Sequence, residues 1–532
     1  MTDVNEIGFS DMMRSIAAAA NDEKIKGIYL YMGSSFPYSW GRSEELRTAL
    51  TRFGESGKPI LAYADAYTQQ GYFVASVADS IYLNPSGLLE FRGIGAEGLF
   101  YKDLLDKLAV KLTLVRPKSN SFKSAGETYT MNRMSDANRK QIREYIRSIW
   151  DYVIDQISEV RDIAPEQLNK FADNLECALP EDALKNKLID RLCFENDILA
   201  TMERKYKCKE TVDLGEYFKS VRIKNQSTSK NKIAVIYAEG DVITGTGYGT
   251  NVYSDKITKA LNDAAKDDNI KAIVLRVNSP GGAVAASEIM TNAVMRAKQK
   301  KPVIVSMGDV AASAGYEISC NANYIVAEPT TITGSIGVFA AISEVGGTLK
   351  RYLGITTDTV KTNANSTAMS ILRPMSPDVL ELMQRNVEEF YTVFVGRVAK
   401  GRGLTCEHVD SIARGRVWTG HDALQLGLVD ALGGLDDAIS IAADSAGISD
   451  YRVVDYPAAE NLLTELMNRN SQSSGVAKNR ITAPQTHTSL PVASPRIGDG
   501  VWVSGNAMIE ALNRICDSRE LQARVEFFLI TE

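Results

Sequence analysis

Two stretches of this chain carry the same run of segments in the same order, and that repeat limits the possible folds more than any other feature. IKGIYLYM from Ile25 resembles IKAIVLRV from Ile270. GKPILAYADAYTQQGYFVASVADSIYLNP from Gly57 resembles KKPVIVSMGDVAASAGYEISCNANYIVAEP from Lys300. GIGAEGLF around Gly95 parallels ITGSIGVF around Gly334, and EDALKNKLIDRL from Glu181 parallels HDALQLGLVDAL from His421. Matched positions stay a nearly constant distance apart (271 − 26 = 245; 334 − 95 = 239), so small insertions alone separate the copies.

Each copy alternates short β-branched runs with amphipathic stretches, the pattern of βαβ units in an α/β fold. The strands are expected at Ile28–Tyr31, Ile60–Tyr63 and Ile81–Leu83, and at Ile273–Val277, Val303–Val305 and Ile325–Val326. Met12, Met13, Ile16 and Ala20, and likewise Ile257, Ala260, Leu261 and Ala264, fall at helical spacing and are expected to pack on a sheet. The polar VRIKNQSTSKNK from Val221 reads as a linker, dividing the chain into a first repeat over 1–225 and a second over 226–450. A tail over 451–532 follows, with a mobile linker expected at 471–500. The second repeat opens with KIAVIYAEGDVITG from Lys232, and projecting that strand back by 245 places its partner upstream of Met1. The first repeat is therefore expected to lack its opening strand, together with whatever precedes it.

Composition narrows the function. With 60 basic against 66 acidic residues the net charge is −6, which lacks the positive field of a nucleic-acid binder. Six scattered cysteines without a CxxC pair read as structural thiols, and three histidines without paired spacing leave a metal site few ligands. No run of about 18 apolar residues marks a membrane span, and MTDVNEIGFSDMM has neither the basic start nor the apolar stretch of a signal peptide.

The chemistry concentrates at two glycine-rich turns of the second repeat. In PVIVSMGDVAASAGYEISC a buried-type strand turns into a helix expected near Ser313, where free N–H groups can stabilise developing negative charge. Such a serine is more often a helix cap or a small packing residue. In NSPGGAVAASE, Gly281 and Gly282 can present backbone N–H groups to an oxyanion or serve only as a tight turn. The repeat discriminates between these readings. At the glycine pair the first copy has GSSFPYSWGRSEE, and at Ser313 it has Gln69. Conversely, the position of Lys123 in SFKSAGE holds approximately Ala368 in the second copy. Each copy has kept a different reactive group, as expected if two ancestral sites merged into one. A serine nucleophile needs a base. His421 aligns with Glu181 at a helix start, and a lysine serves only if burial brings its pKa down from about 10.4.

NSPGGAVAASE, SMGDVAASAGYEIS, NYIVAEPTTITGSIGVF, GRVWTGHDALQLGLVDALGG and SFKSAGE together resemble the long, tandem-repeat form of bacterial signal peptide peptidase, also called SppA or protease IV, over roughly residues 9–450. The resemblance implies two tandem Clp/crotonase-like domains and a serine endopeptidase with a Ser/Lys dyad: Ser313 as nucleophile and Lys123 as general base. It implies that Ser335 holds the lysine amine, with Ala96 at its place in the first copy, and that the N–H groups of Gly282 and Ala314 form the oxyanion hole. It also implies cleaved signal peptides and other apolar peptides as substrates, no cofactor or metal, no nucleic-acid partner, and a homotetramer. The catalytic domain would face outward at the cytoplasmic membrane, held by an N-terminal anchor that the sequence as given does not contain.

Two other readings use the same turns. A crotonase-type acyl-CoA enzyme would use the paired N–H groups on a thioester, but it commonly places Glu or Asp in the pocket, and no such carboxylate emerges here. A catalytically inactive peptide-binding scaffold would leave Ser313 only packing.

Overall fold

The computed structural model describes residues 7–457 apart from 35, 209, 225–227, 248 and 250, together with the backbone of 526–531. The boundary expected near 226, the linker at 471–500 and Cys516 lie outside these residues.

Each repeat builds one largely parallel sheet with helices packed on it. In the second repeat the sheet order is Val417–Thr419, Ile332–Gly334, Val303–Ala312, Ile270–Ser279, Lys232–Glu239 and Arg452–Asp455, with Tyr324–Ala327 also paired to Val303–Ala312. In the first the order is Arg191–Leu192, Ser80–Leu89, Ile60–Tyr67, Ile25–Tyr31, Glu526–Thr531 and Glu210–Asp213. The central strands read as near-continuous apolar runs because both faces are covered. Ile273, Val274, Leu275 and Val277 are all fully buried. The expected strands are present, and Val303–Ala312 continues to the residue before Ser313. The helix Ser254–Lys266 buries Ile257, Ala260, Leu261 and Ala264. Phe9–Asn21 buries Met12, Met13 and Ile16, with Ala19 rather than Ala20 as its fourth inward position.

The slot beside Ile25–Tyr31, where the opening strand of the first repeat was expected to be missing, is filled by the backbone of Glu526–Thr531. This strand runs antiparallel to both Ile25–Tyr31 and Glu210–Asp213, whereas its counterpart Lys232–Glu239 runs parallel to both of its neighbours. An open slot would leave two rows of backbone donors and acceptors unpaired, and strand direction matters less than filling it.

Among the contacts that join the repeats, a strand pairing and a buried ion pair stand out. Lys111–Val115 of the first pairs antiparallel with Ala340–Glu344 of the second, Val115 opposite Ala340. Arg276 reaches from the second sheet to Glu45 at 2.5 Å, both side chains being buried. Among the described residues the free thiols Cys177, Cys193, Cys208 and Cys320 are buried and Cys406 is exposed. No helix among them is long and apolar enough to cross a membrane.

Candidate active site

Ser313 caps the helix Ala314–Ser319 at the end of its strand, with φ 54° and ψ −120°. That conformation is costly for a residue with a side chain, by about 1–3 kcal/mol, and survives only where the surroundings fix it. Here they do. The Ser313 N–H donates to Gly334 O at 2.9 Å, and the Tyr316 hydroxyl ties the short helix to Leu428 O at 2.8 Å.

The turn after Ile270–Ser279 lies directly against this elbow. A Cβ on Gly281, whose φ is +119°, would lie 2.8 Å from Ser313 Cβ, and one on Gly282 would lie 2.2 Å from Val242 O. Gly281 is therefore held to glycine by Ser313 Cβ and its own φ, and Gly282 by the backbone of Val242. The Gly282 and Ala314 N–H groups make no hydrogen bond within the described residues, whereas Gly281 O and the Ala283 N–H are tied to Val242.

Lys123 comes from the first repeat. Its loop follows the strand Lys111–Val115 that pairs with Ala340–Glu344, so the cross-repeat ladder sets where the lysine enters the second repeat. The side chain is 4% exposed. Its Nζ lies 3.0 Å from Ser313 Oγ, 2.9 Å from Ser335 Oγ and 3.0 Å from Ser335 O. Burial alone, with no carboxylate beside it, brings the amine down from 10.5 to about 7. Ser335 also has a positive φ, of 50°, and its N–H donates to Arg416 O at 2.7 Å.

The structure thus brings Ser313, Lys123 and Ser335 together, with Gly281 and Gly282 over the serine. His421 is elsewhere: its imidazole is about half exposed, 3.5 Å from Asp422. In the first repeat Gln69, in place of the serine, uses its side chain on the backbone of Arg92 and Gly93, and Ala96 is exposed. Ala368, opposite Lys123 in the alignment, sits in a mostly exposed turn. Sequence reasoning missed the residues that hold the lysine loop. Arg116 donates to Lys123 O at 2.8 Å, and Gln141 donates to Phe122 O and Ser124 Oγ, each at 3.0 Å. Gln141 lies in the long helix Asp136–Arg161, and nothing in its spacing separates it from the solvent-facing polar residues around it.

A strained serine at a strand-to-helix elbow beside a buried amine and a glycine turn has the parts of a serine hydrolase site. The model of peptidase family S49 matches residues 52–209 and 295–449, and the Clp protease model matches 224–331. Protease 4 of Salmonella typhi is 36% identical over 476 residues, covering 87% of this chain and 76% of that protein. Protease 4 of Haemophilus influenzae is 34% identical, covering 82% and 73%. The chloroplastic serine protease SPPA of Arabidopsis thaliana is 27% identical, covering 83% and 66%. The chain belongs to peptidase family S49, among the Protease 4 and SppA serine peptidases.

Proposed function

We propose that this chain hydrolyses peptide bonds in apolar peptides, cleaved signal peptides foremost, with Ser313 as nucleophile and Lys123 as general base. The observation that carries this reading is the Lys123 amine, buried and 3.0 Å from Ser313 Oγ. A neutral amine has two N–H donors and one lone pair. Donating to Ser335 O and Ser335 Oγ uses both donors and leaves the lone pair facing Ser313, as a base requires.

Lys123 Nζ takes the Ser313 hydroxyl proton as Oγ bonds to the scissile carbonyl carbon. The carbonyl oxygen becomes an oxyanion, received by the N–H groups of Gly282 and Ala314. The lysine ammonium then protonates the leaving amine as the C–N bond breaks. Water, deprotonated by the same lysine, attacks the acyl carbon, and the ammonium returns that proton to Ser313 Oγ as the C–Oγ bond breaks and the acid is released.

Burial of the amine near pH 7 favours this reading over the scaffold reading, because an uncompensated buried lysine is costly where it does no chemistry. The acyl-CoA reading wants a free carboxylate in the pocket. Glu317, on the helix that follows Ser313, is occupied by Arg397 and by the Ser287 hydroxyl. Assembly as a homotetramer at the outer face of the cytoplasmic membrane belongs to the same proposal. Exposed apolar side chains at Leu99, Leu353 and Val360 favour a further contact surface.

The test is cleavage of a quenched-fluorescent apolar peptide alongside hydrolysis of an acyl-CoA thioester. Peptide cleavage by wild type, lost in both Ser313→Ala and Lys123→Ala, is expected. Thioester hydrolysis without peptide cleavage would overturn the proposal.

A further inference from the structure

We infer that the turn Ala413–Arg416 of the second repeat is the positioning element for Lys123, with Gly415 setting the depth of the lysine backbone and Arg416 closing the loop against water. The inference rests on the Ser313/Lys123 reading above.

One four-residue turn holds both sides of the lysine amine. The Phe122 N–H donates to Arg414 O at 3.1 Å, the Gly415 N–H to Ile336 O at 2.8 Å, and the Ser335 N–H to Arg416 O at 2.7 Å. The lysine loop of one repeat and the Ser335 segment of the other are therefore registered on the same backbone. Gly415 lies against the lysine itself. A Cβ there would fall 2.5 Å from Lys123 Cβ, 2.6 Å from its N and 2.7 Å from its Cα, and backbone atoms cannot swing aside. The Arg416 guanidinium lies over Trp418, its Cζ 3.8 Å from the ring centroid, and over Phe122 at 5.1 Å. It also pairs with Glu144 on the helix Asp136–Arg161 of the first repeat. A guanidinium set against two rings and tied to a carboxylate covers Phe122, the residue next to the lysine, in a way an ammonium would not.

The two copies differ at this turn. His421 matches Glu181 at an offset of 240, which sets Gly415 opposite Leu175 and Arg416 opposite Glu176 (415 − 240 = 175; 416 − 240 = 176). Leu175 adopts φ 55°, but the second copy carries two consecutive left-handed residues, Arg414 at φ 55° and Gly415 at φ 82°, so the two turns differ in shape as well as in sequence. Gly415 is favoured by its own φ and, independently, by the approach of the Lys123 backbone.

The consequence is electrostatic. Charged groups on the elements around the lysine are Arg116 and Glu127 on its own loop, Arg414 and Arg416 on the turn, Glu144 on the long helix and Glu317 after Ser313. Arg414 is paired with Asp410, Arg416 with Glu144 and Glu317 with Arg397, and burial is the sole cause of the lysine's shift. Loosening the turn admits water and returns the amine toward 10.5, so the rate is lost at neutral pH and regained in alkali.

The experiment is the pH profile of kcat and KM for peptide cleavage between pH 5.5 and 10. It compares wild type, Gly415→Ala, Arg416→Ala and Arg416→Lys, with Glu176→Ala as the control at the equivalent place in the first repeat. Gly415→Ala and Arg416→Ala are expected to raise the kcat midpoint by at least about one unit, which lowers kcat about fivefold at pH 7 while KM holds and the rate recovers above pH 9. Arg416→Lys should fall between them and wild type, and Glu176→Ala should match wild type. An unmoved midpoint in both Gly415→Ala and Arg416→Ala, whether the rate is kept or is reduced equally at every pH, overturns the inference. If Gly415→Ala does not fold, the two Arg416 variants decide. Activity surviving in Ser313→Ala or Lys123→Ala would instead defeat the Ser/Lys reading itself.

Discussion

Replacing Lys123 by Met should stabilise the protein while abolishing its activity, and the stabilisation should depend on pH with a fixed sign. The lysine titrates at about 7 in the folded chain against 10.5 unfolded. A base whose folded value is depressed leaves the folded state with fewer bound protons than the unfolded state between those two values. Wild-type stability therefore rises with pH across that window. At pH 7, where about half of the folded population is already neutral, the burden is roughly 4 kcal/mol, and at pH 9 it has fallen to roughly 2 kcal/mol. Methionine fills much of the same volume without a charge. Its gain is offset by about 1–3 kcal/mol for the lost contact at Ser335 O. That offset does not vary with pH, so the slope is the diagnostic quantity. Urea unfolding of both proteins at pH 7, 8 and 9 and equal ionic strength should show the advantage of Lys123→Met shrinking by about 2–3 kcal/mol over those two units. A difference constant across that range would refute the claim that the amine is held neutral by burial.

Further outcomes follow from the same geometry. Ser335→Ala removes one of the three contacts of Lys123 Nζ and should lower kcat about tenfold, equivalent to about 1.4 kcal/mol, with KM unchanged in steady-state kinetics. Gly281→Ala brings a methyl group to 2.8 Å from Ser313 Cβ and should cost about a hundredfold or more in kcat/KM, while circular dichroism shows the fold retained. Arg276→Met leaves Glu45 buried without its partner and should cost about 3–5 kcal/mol in urea unfolding, with Arg276→Met/Glu45→Gln recovering part of it.

The repeat made the fold class legible, because the same alternation of β-branched runs and amphipathic stretches recurs in both copies. Ile273–Val277 and Ile28–Tyr31 could be matched as equivalent strands from the sequence alone. The use of residues 526–531 beside Ile25 was not legible, since backbone pairing that completes an edge leaves little trace in side-chain pattern. At the site, Ser313 and the glycine pair stood out through their absence from the first copy. Lys123 was singled out by the resemblance of SFKSAGE to a family motif, because burial cannot be read from one lysine among many. Gly415 and Gln141 escaped for a related reason: Gly415 matters through its approach to Lys123, far away in sequence (415 − 123 = 292), and Gln141 through contacts to Phe122 and Ser124 in another segment, and no local spacing records either. The comparison of Gly415 with Leu175 shows where the signal was, in the repeat rather than in the turn.

The central claim is that Ser313 and Lys123, one from each repeat, form a single site. Its most direct test is reaction with a fluorophosphonate, the modified residue located by peptide mass spectrometry and the rate followed from pH 5 to 10. The account predicts an adduct on Ser313 with a rate midpoint near 7, no adduct in Ser313→Ala, and loss of that midpoint in Lys123→Ala. An adduct on a different residue, or Lys123→Ala reacting at the wild-type rate across the range, would contradict it.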